Sequence, residues 1–242
     1  MPIAIRNAIK PQIRAVTDAW RILGQLGLVD TIFNHISATI ADPTGTLQLV
    51  MNPEGRLPKE LSTENMCVFP VQKYKPSEAS LLGVNPDGLQ LHSAMHRVRM
   101  KPGAIIHTHS AHCLAVGCSD QGLLPLSQTA IEFSDEVAVI EYGGMFRSQE
   151  LTKRLINLAT NGGIALLRNH GTLVVADSVA EAFYMAYFIE EACKIQVITL
   201  SQGVRIILPK KEAIADAQQA MRGDRAKAAA QLFGAFRRNM DT

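Results

Sequence analysis

The sequence predicts a single α/β domain, on three observations. Segments with strand-like alternation and segments with a helical apolar period follow one another along the chain. Neither a Gly/Pro-rich linker nor an internal repeat divides the 242 residues. Hydrophobic residues make up 47% against 19% charged, a globular balance in a chain long enough to bury about 70% of the surface it exposes when unfolded.

Residues 1–12 read as an N-terminal extension. From 13 to 28 the apolar residues Ile13, Val16, Trp20, Leu23 and Leu26 recur near the helical period, and Gly24 and Gly27 mark the stop. Residues 33–40 and 47–51 alternate as strands, and Asp42-Pro43-Thr44-Gly45 between them has turn chemistry, so the pair reads as a hairpin. Asn52-Pro53-Glu54-Gly55 makes a second turn. Residues 89–98 look helical, 103–108 form a short apolar strand, and 111–117 open another helix. Residues 136–142, 164–168 and 172–175 read as further strands. The run 178–200 is a core helix, with Ser178 as N-cap and Glu181 completing a capping box. Beyond Pro209, residues 210–242 carry an Ala-, Lys- and Arg-rich helical tail (212–238) expected to pack on the same domain, its basic end facing solvent or another subunit.

A net charge of +2, from 24 basic and 22 acidic residues, offers no sequence-wide attraction to nucleic acid or anionic lipid. The N-terminus lacks the apolar core and cleavage site of a secretory signal, and no uninterrupted apolar run reaches membrane-spanning length. The expected location is cytoplasmic, without nucleic-acid or membrane partners. Cys67, Cys113, Cys118 and Cys193 show no C-x-x-C spacing and are expected to be reduced and mostly buried.

Two of the arrangements among the seven histidines carry chemistry. In Ile105-Ile106-His107-Thr108-His109 an apolar strand ends in imidazoles spaced i, i+2, which share one face and can converge on one ion. In Leu167-Arg168-Asn169-His170-Gly171 a histidine closes a buried strand at a glycine-assisted turn and could add a third ligand. Three imidazoles with an open position make a catalytic site for zinc or a neighbouring transition metal, because neutral ligands leave the cation's charge free to polarise a substrate oxygen. His112 reads as a helix residue just outside such a site.

These segments join others: Phe33-Asn34-His35-Ile36-Ser37, Asn52-Pro53-Glu54-Gly55, Gly83-Val84-Asn85-Pro86-Asp87-Gly88, Leu91-His92-Ser93-Ala94-Met95-His96 and Gly122-Leu123-Leu124-Pro125-Leu126-Ser127. In this order they resemble the class II aldolase/adducin superfamily, its adducin-like branch above all, over residues 13–209. The resemblance implies a single three-layer α/β/α domain around a largely antiparallel central sheet. It also implies His107, His109 and His170 as ligands of one divalent transition metal per subunit, zinc first, with manganese or iron as the other candidates. Homotetramers are common among such proteins, with the site near a subunit boundary. Asn34, Glu54, Gly55 and Asn85 fall at the expected substrate-binding turns.

One departure bears on chemistry. In the sugar-phosphate aldolases of this superfamily a catalytic glutamate precedes the residue matching His92 by four positions, where this chain has Gly88. The expected function is therefore a metal-dependent carbon–carbon lyase on a small carboxylate or hydroxycarbonyl substrate, with decarboxylation favoured over aldol cleavage because it needs no base to open the bond. Tyr142 and His92 are the candidate proton donors. The alternatives are a non-enzymatic scaffold like the adducin head and an iron-dependent oxygenase.

Overall fold

The computed structural model describes residues 3–71, 76–99, 101, 103–143 and 149–240. Seven strands form one sheet: β1 (His35–Ala41), β2 (Leu47–Met51), β3 (Cys67–Pro70), β4 (Gly103–Thr108), β5 (Val137–Ile140), β6 (Gly163–Leu167) and β7 (Gly171–Ala176), in the order β3-β2-β1-β4-β7-β6-β5. Every neighbouring pair is antiparallel except β5–β6, so the sheet is mixed but largely antiparallel. Asp42 makes the β1–β2 turn, its Oδ1 accepting from the backbone N–H of Thr44 at 2.8 Å and of Thr46 at 3.1 Å.

The two-residue pleat sorts side chains between the faces. Ile36, Ala38, Ala104, Ile106, Ile164, Leu166 and Val174 point to one face; Ile105, Ala165, Leu167, Leu173 and Val175 point to the other. The first face is covered by α2 (Lys10–Gln25), α5 (Ala111–Gly117) and α8 (Val179–Ser201), through residues such as Ile13, Trp20, Cys113, Phe183 and Ile189. The second is covered by α4 (Pro86–Arg99) and α7 (Gln149–Asn161), through Leu91, Met95, Leu155 and Leu158. Helix on sheet on helix is the three-layer arrangement expected. Of the short helices, α1 (Ile3–Ala8) packs on α2, α3 (Ala79–Leu82) on α4, and α6 (Gln128–Phe133) on α8.

Ser178 caps α8 as expected, its Oγ accepting from Glu181 N–H at 3.2 Å. The last helix, α9 (Lys211–Arg238), lies on α8, with Phe233 buried 5.3 Å from the Phe183 ring. Its basic end, Arg237 and Arg238, is exposed. Farther in, Arg225 pairs with the buried Glu132 at 2.7 Å, and Arg237 also pairs with Asp18 at 2.8 Å. Cys113 and Cys193 are buried free thiols, Cys67 is half-buried and Cys118 is exposed. Among the described residues no helix is long and apolar enough to cross a membrane.

Candidate metal centre

β4 is a central strand, and the pleat that sends Ile106 to the α8 face sends His107 to the α4 face. His109 follows two residues later, just past the strand end. Pairing of β4 with β7 sets Thr108 opposite Thr172, so the β6–β7 turn reaches the end of β4 and delivers His170 there. That turn needs two special backbone positions. Asn169 is left-handed at φ 56°, and His170 N–H closes the turn on the Leu167 carbonyl at 3.1 Å. At Gly171 a Cβ would run into the Thr108 carbonyl and stand 2.9 Å from His109 Cδ2, so only glycine lets the strands come this close.

The three imidazoles converge, each offering a ligand nitrogen within 4.8 Å of the other two. Ring centroids are 4.9 Å apart for His107–His109 and His107–His170 and 5.3 Å for His109–His170. His107 Nδ1–H donates to the Thr172 carbonyl at 2.9 Å, which leaves Nε2 as the nitrogen facing its partners. Nε2 of His107 and Nε2 of His109 are 3.1 Å apart, close to the roughly 3.3 Å between two nitrogens on a tetrahedral ion at 2.0–2.1 Å. Burial pushes His107 well below the usual histidine range and His170 down to about 4. Burial also lowers His109, against the opposing pull of Asp30. All three are therefore neutral at pH 7, the form that binds a metal. The residues present fit a divalent ion.

Asn34 holds His109 at two points: its Oδ1 accepts from His109 N–H at 3.3 Å, and its Nδ2 lies 3.0 Å from His109 Nδ1. The same Nδ2 donates to Asp30 Oδ1 at 2.7 Å, and that carboxylate lies 3.5 Å from His109 Nδ1. The other expected substrate residues sit differently. Glu54 and Gly55 are exposed on their turn, which is tied to the next one by Glu54 N–H donating to the Gly83 carbonyl at 2.8 Å. Asn85 caps α4, its Oδ1 accepting from Gly88 N–H at 2.9 Å. Tyr142 is 58% exposed, two residues beyond β5 at the sheet end from which His170 also emerges. His112 bonds Glu190 of α8 at 2.7 Å.

His92 has no exposed surface. Its Nε2 lies 2.8 Å from His35 Nδ1 and its Nδ1 lies 2.5 Å from Ser37 Oγ. Ser37 Oγ in turn is 2.8 Å from His96 Nε2, and His96 is lowered to about 3, by burial first and then by Arg99. His35 sits directly opposite His107 in the β1–β4 register, with ring centroids 4.7 Å apart. His92 is thus hydrogen-bonded to His35, whose ring faces that of His107. Gly88 explains how His35 fits: a Cβ there would stand 2.8 Å from His35 Cδ2 and 3.0 Å from its Cγ.

Asp30, Ser37, His96 and the Thr172 carbonyl were not picked out from the sequence. Asp30 and Thr172 leave no pattern there. Ser37 and His96 do: His35-x-Ser37-x-Thr39 has the period of a strand face and His92-x-x-x-His96 that of a helix face, so the two stripes can meet.

A model of the class II aldolase and adducin N-terminal domain matches residues 14–197. A Pseudomonas aeruginosa protein grouped by name with the class 2 aldolases is 32% identical over 204 residues, 84% of this chain and 77% of that one. Mouse alpha-adducin is 35% identical over 187 residues, 76% of this chain but only 25% of adducin. The crystal structure of an aldolase II superfamily protein from Pseudomonas syringae superposes with a TM-score of 0.86 at 28% identity, covering 96% of this chain and 92% of that one.

Proposed function

Because the chain belongs to the class II aldolase and adducin N-terminal domain family, we propose that it is a cytoplasmic metal-dependent carbon–carbon lyase acting on a small carboxylate or hydroxycarbonyl substrate, by decarboxylation or aldol-type cleavage. The observation that carries this reading is the convergence of His107, His109 and His170 at the end of β4. A scaffold has no need of three neutral imidazoles gathered beside an open position. Zinc is the proposed ion, with manganese or iron as alternatives, since imidazole nitrogen suits all three. A homotetramer is the proposed assembly. Exposed Ile195, Ile198, Val204 and Ile207 along the end of α8 and the segment after it offer an apolar face to a second copy.

When bound, the ion would act as a Lewis acid on a substrate oxygen. The protein's own groups supply position and protons. The Thr172 carbonyl sets the ring of His107, Asn34 sets that of His109, and the Asn169 turn sets His170. The absence of a carboxylate at Gly88 favours decarboxylation, where carbon dioxide departs without prior removal of a proton. A proton must return afterwards. Tyr142 Oη, exposed at the same sheet end, and His92, acting through His35, are the proposed sources.

A second reading is favoured by the 35% identity to alpha-adducin: a non-catalytic interaction scaffold. Elemental analysis of the purified protein beside a His107→Ala/His109→Ala variant, then a screen of 2-hydroxy and 3-oxo acids for carbon dioxide release with the metal found, separates the two. Stoichiometric metal in the parent only, with turnover, supports the lyase. Metal in neither protein, even after reconstitution, overturns it.

A further inference from the structure

A buried hydrogen-bonded chain runs from the triad along the face between the sheet and α4. Its members are His35, His92, Ser37, His96 and Thr39, all 3% exposed or less. Its direction follows from its far end. The Lys101 carbonyl can only accept, and Thr39 Oγ1–H donates to it at 3.2 Å. A hydroxyl has one proton, so Thr39 Oγ1 accepts from His96 Nδ1–H at 3.4 Å. His96 Nε2 is then a lone pair and accepts from Ser37 Oγ–H at 2.8 Å. Ser37 Oγ, its proton committed, accepts from His92 Nδ1–H at 2.5 Å. His92 Nε2 accepts in its turn from His35 Nδ1–H at 2.8 Å. The last nitrogen, His35 Nε2, carries no proton. Its ring stands 4.7 Å from that of His107 and within electrostatic reach of His109 and His170.

We propose that this chain locks His35 in its Nδ1–H form and so presents a bare Nε2 at the triad as the hydrogen-bond acceptor for a hydroxyl or water held there. The acceptor role rests on reading the triad as a metal centre; the tautomer lock does not. Nothing in it requires any of these imidazoles to change protonation. Ser37, His92, His96 and Thr39 are positioning residues that act through His35. The ligand selected is protic: a hydroxy acid fits, and its ether, which has no proton to give, does not. A carbonyl oxygen at the far end of α4 thereby sets a preference at the metal site.

Nitrogen-15 NMR of the metal-free protein, with histidine resonances assigned through single variants, tests the lock. The expected result is the Nδ1–H tautomer for His35, His92 and His96 alike. Ser37→Ala removes the acceptor for His92, so the His35–His92 pair should reverse and His35 should take up the Nε2–H form. Thr39→Val, nearly isosteric, should release His96 from a single tautomer without unfolding the protein. An Nε2–H signal for His35 in the parent overturns the proposal. Glycolate and methoxyacetate, titrated into cobalt-loaded protein and followed by its visible spectrum, test the acceptor. The parent should discriminate between them about tenfold more than Ser37→Ala does, roughly the worth of one hydrogen bond. Equal discrimination by the two proteins overturns the acceptor role. Failure to bind cobalt removes the metal reading and the acceptor role with it, and leaves the tautomer measurement to decide the lock.

Discussion

Replacing Gly88 by alanine tests the packing that distinguishes this site. The new methyl would stand 2.8 Å from Met51 Cε, 2.8 Å from His35 Cδ2 and 3.0 Å from His35 Cγ. Met51 can yield, since the atom is the tip of a flexible side chain. His35 cannot turn aside without breaking its 2.8 Å bond to His92. Overpacking of this kind costs about 1–3 kcal/mol, while alanine in place of a helical glycine returns up to about 1 kcal/mol. The expected net loss is about 1–2 kcal/mol, read from urea unfolding of the metal-free protein. In a His35→Ala background the obstruction is gone, and the same substitution should stabilise by about 0.5–1 kcal/mol. The coupling between the two positions is therefore about 2 kcal/mol. Equal effects of Gly88→Ala in both backgrounds would refute the placement of His35 against α4.

Gly171→Ala should cost about 3 kcal/mol or more, because its Cβ meets the backbone carbonyl of Thr108, and should abolish metal retention; a variant that melts and loads like the parent would contradict the turn geometry. Acid should destabilise the metal-free protein in a defined window. His96 is lowered from 6.5 to about 3, so between those values the unfolded chain binds a proton that the native state refuses, and stability falls with pH by about 1.4 kcal/mol per unit from this residue alone. The slope of unfolding free energy against pH should be shallower in His96→Gln, and an unchanged slope would count against its burial as a neutral base. Phe233→Ala, emptying a site 6% exposed between α9 and α8, should cost about 3–5 kcal/mol and open α9 to limited proteolysis; resistance equal to the parent's would show that α9 is held by its ion pairs.

What the sequence made legible were the elements whose own pattern is strong. β4 lies where the short apolar run at 103–108 placed it, α5 forms where a helix was expected to open at 111, and Ser178 caps α8 through the hydroxyl that its spacing from Glu181 predicted. The first long helix begins at Lys10 rather than at residue 13, because Pro11 is tolerated in a first turn where its missing N–H has no partner to lose. β3, with Pro70 at its end, and α6, a six-residue helix, are too short to show a period, and only pairing or packing defines them. The histidine triad was visible because His107 lies at the end of β4, His109 follows two residues later, and His170 precedes a glycine. Asp30 and the Thr172 carbonyl were not, since a carboxylate four residues before Asn34 and a backbone oxygen in β7 become relevant only once the sheet brings them to the site. Asn85, named for a substrate-binding turn, caps α4, a role its position ahead of Pro86 also announces.

The neutral imidazole of His35 beside Gly88, where the chain has no carboxylate, bears on which bond the proposed site could break. A glutamate at position 88 would be an anion near a cation, able to take a proton and become neutral. His35 begins neutral and would have to become a cation, 2% exposed and 4.7 Å ring to ring from His107, which the desolvation of buried charge opposes by several kcal/mol. As an acceptor in a fixed hydrogen bond it faces no such cost. A reaction that must first give up a proton to a base, from the hydroxyl in aldol-type cleavage or from carbon in its reverse, is therefore poorly served, whereas one that starts by expelling carbon dioxide is not. The two leave different isotopic records. With a 3-oxo acid in deuterium oxide, the decarboxylase reading expects carbon dioxide release and deuterium in the product, with recovered substrate no more exchanged at its α-carbon than in a protein-free control. Enzyme-dependent exchange into unreacted substrate, ahead of carbon dioxide release, would show a working base at this site and return aldol-type chemistry to first place.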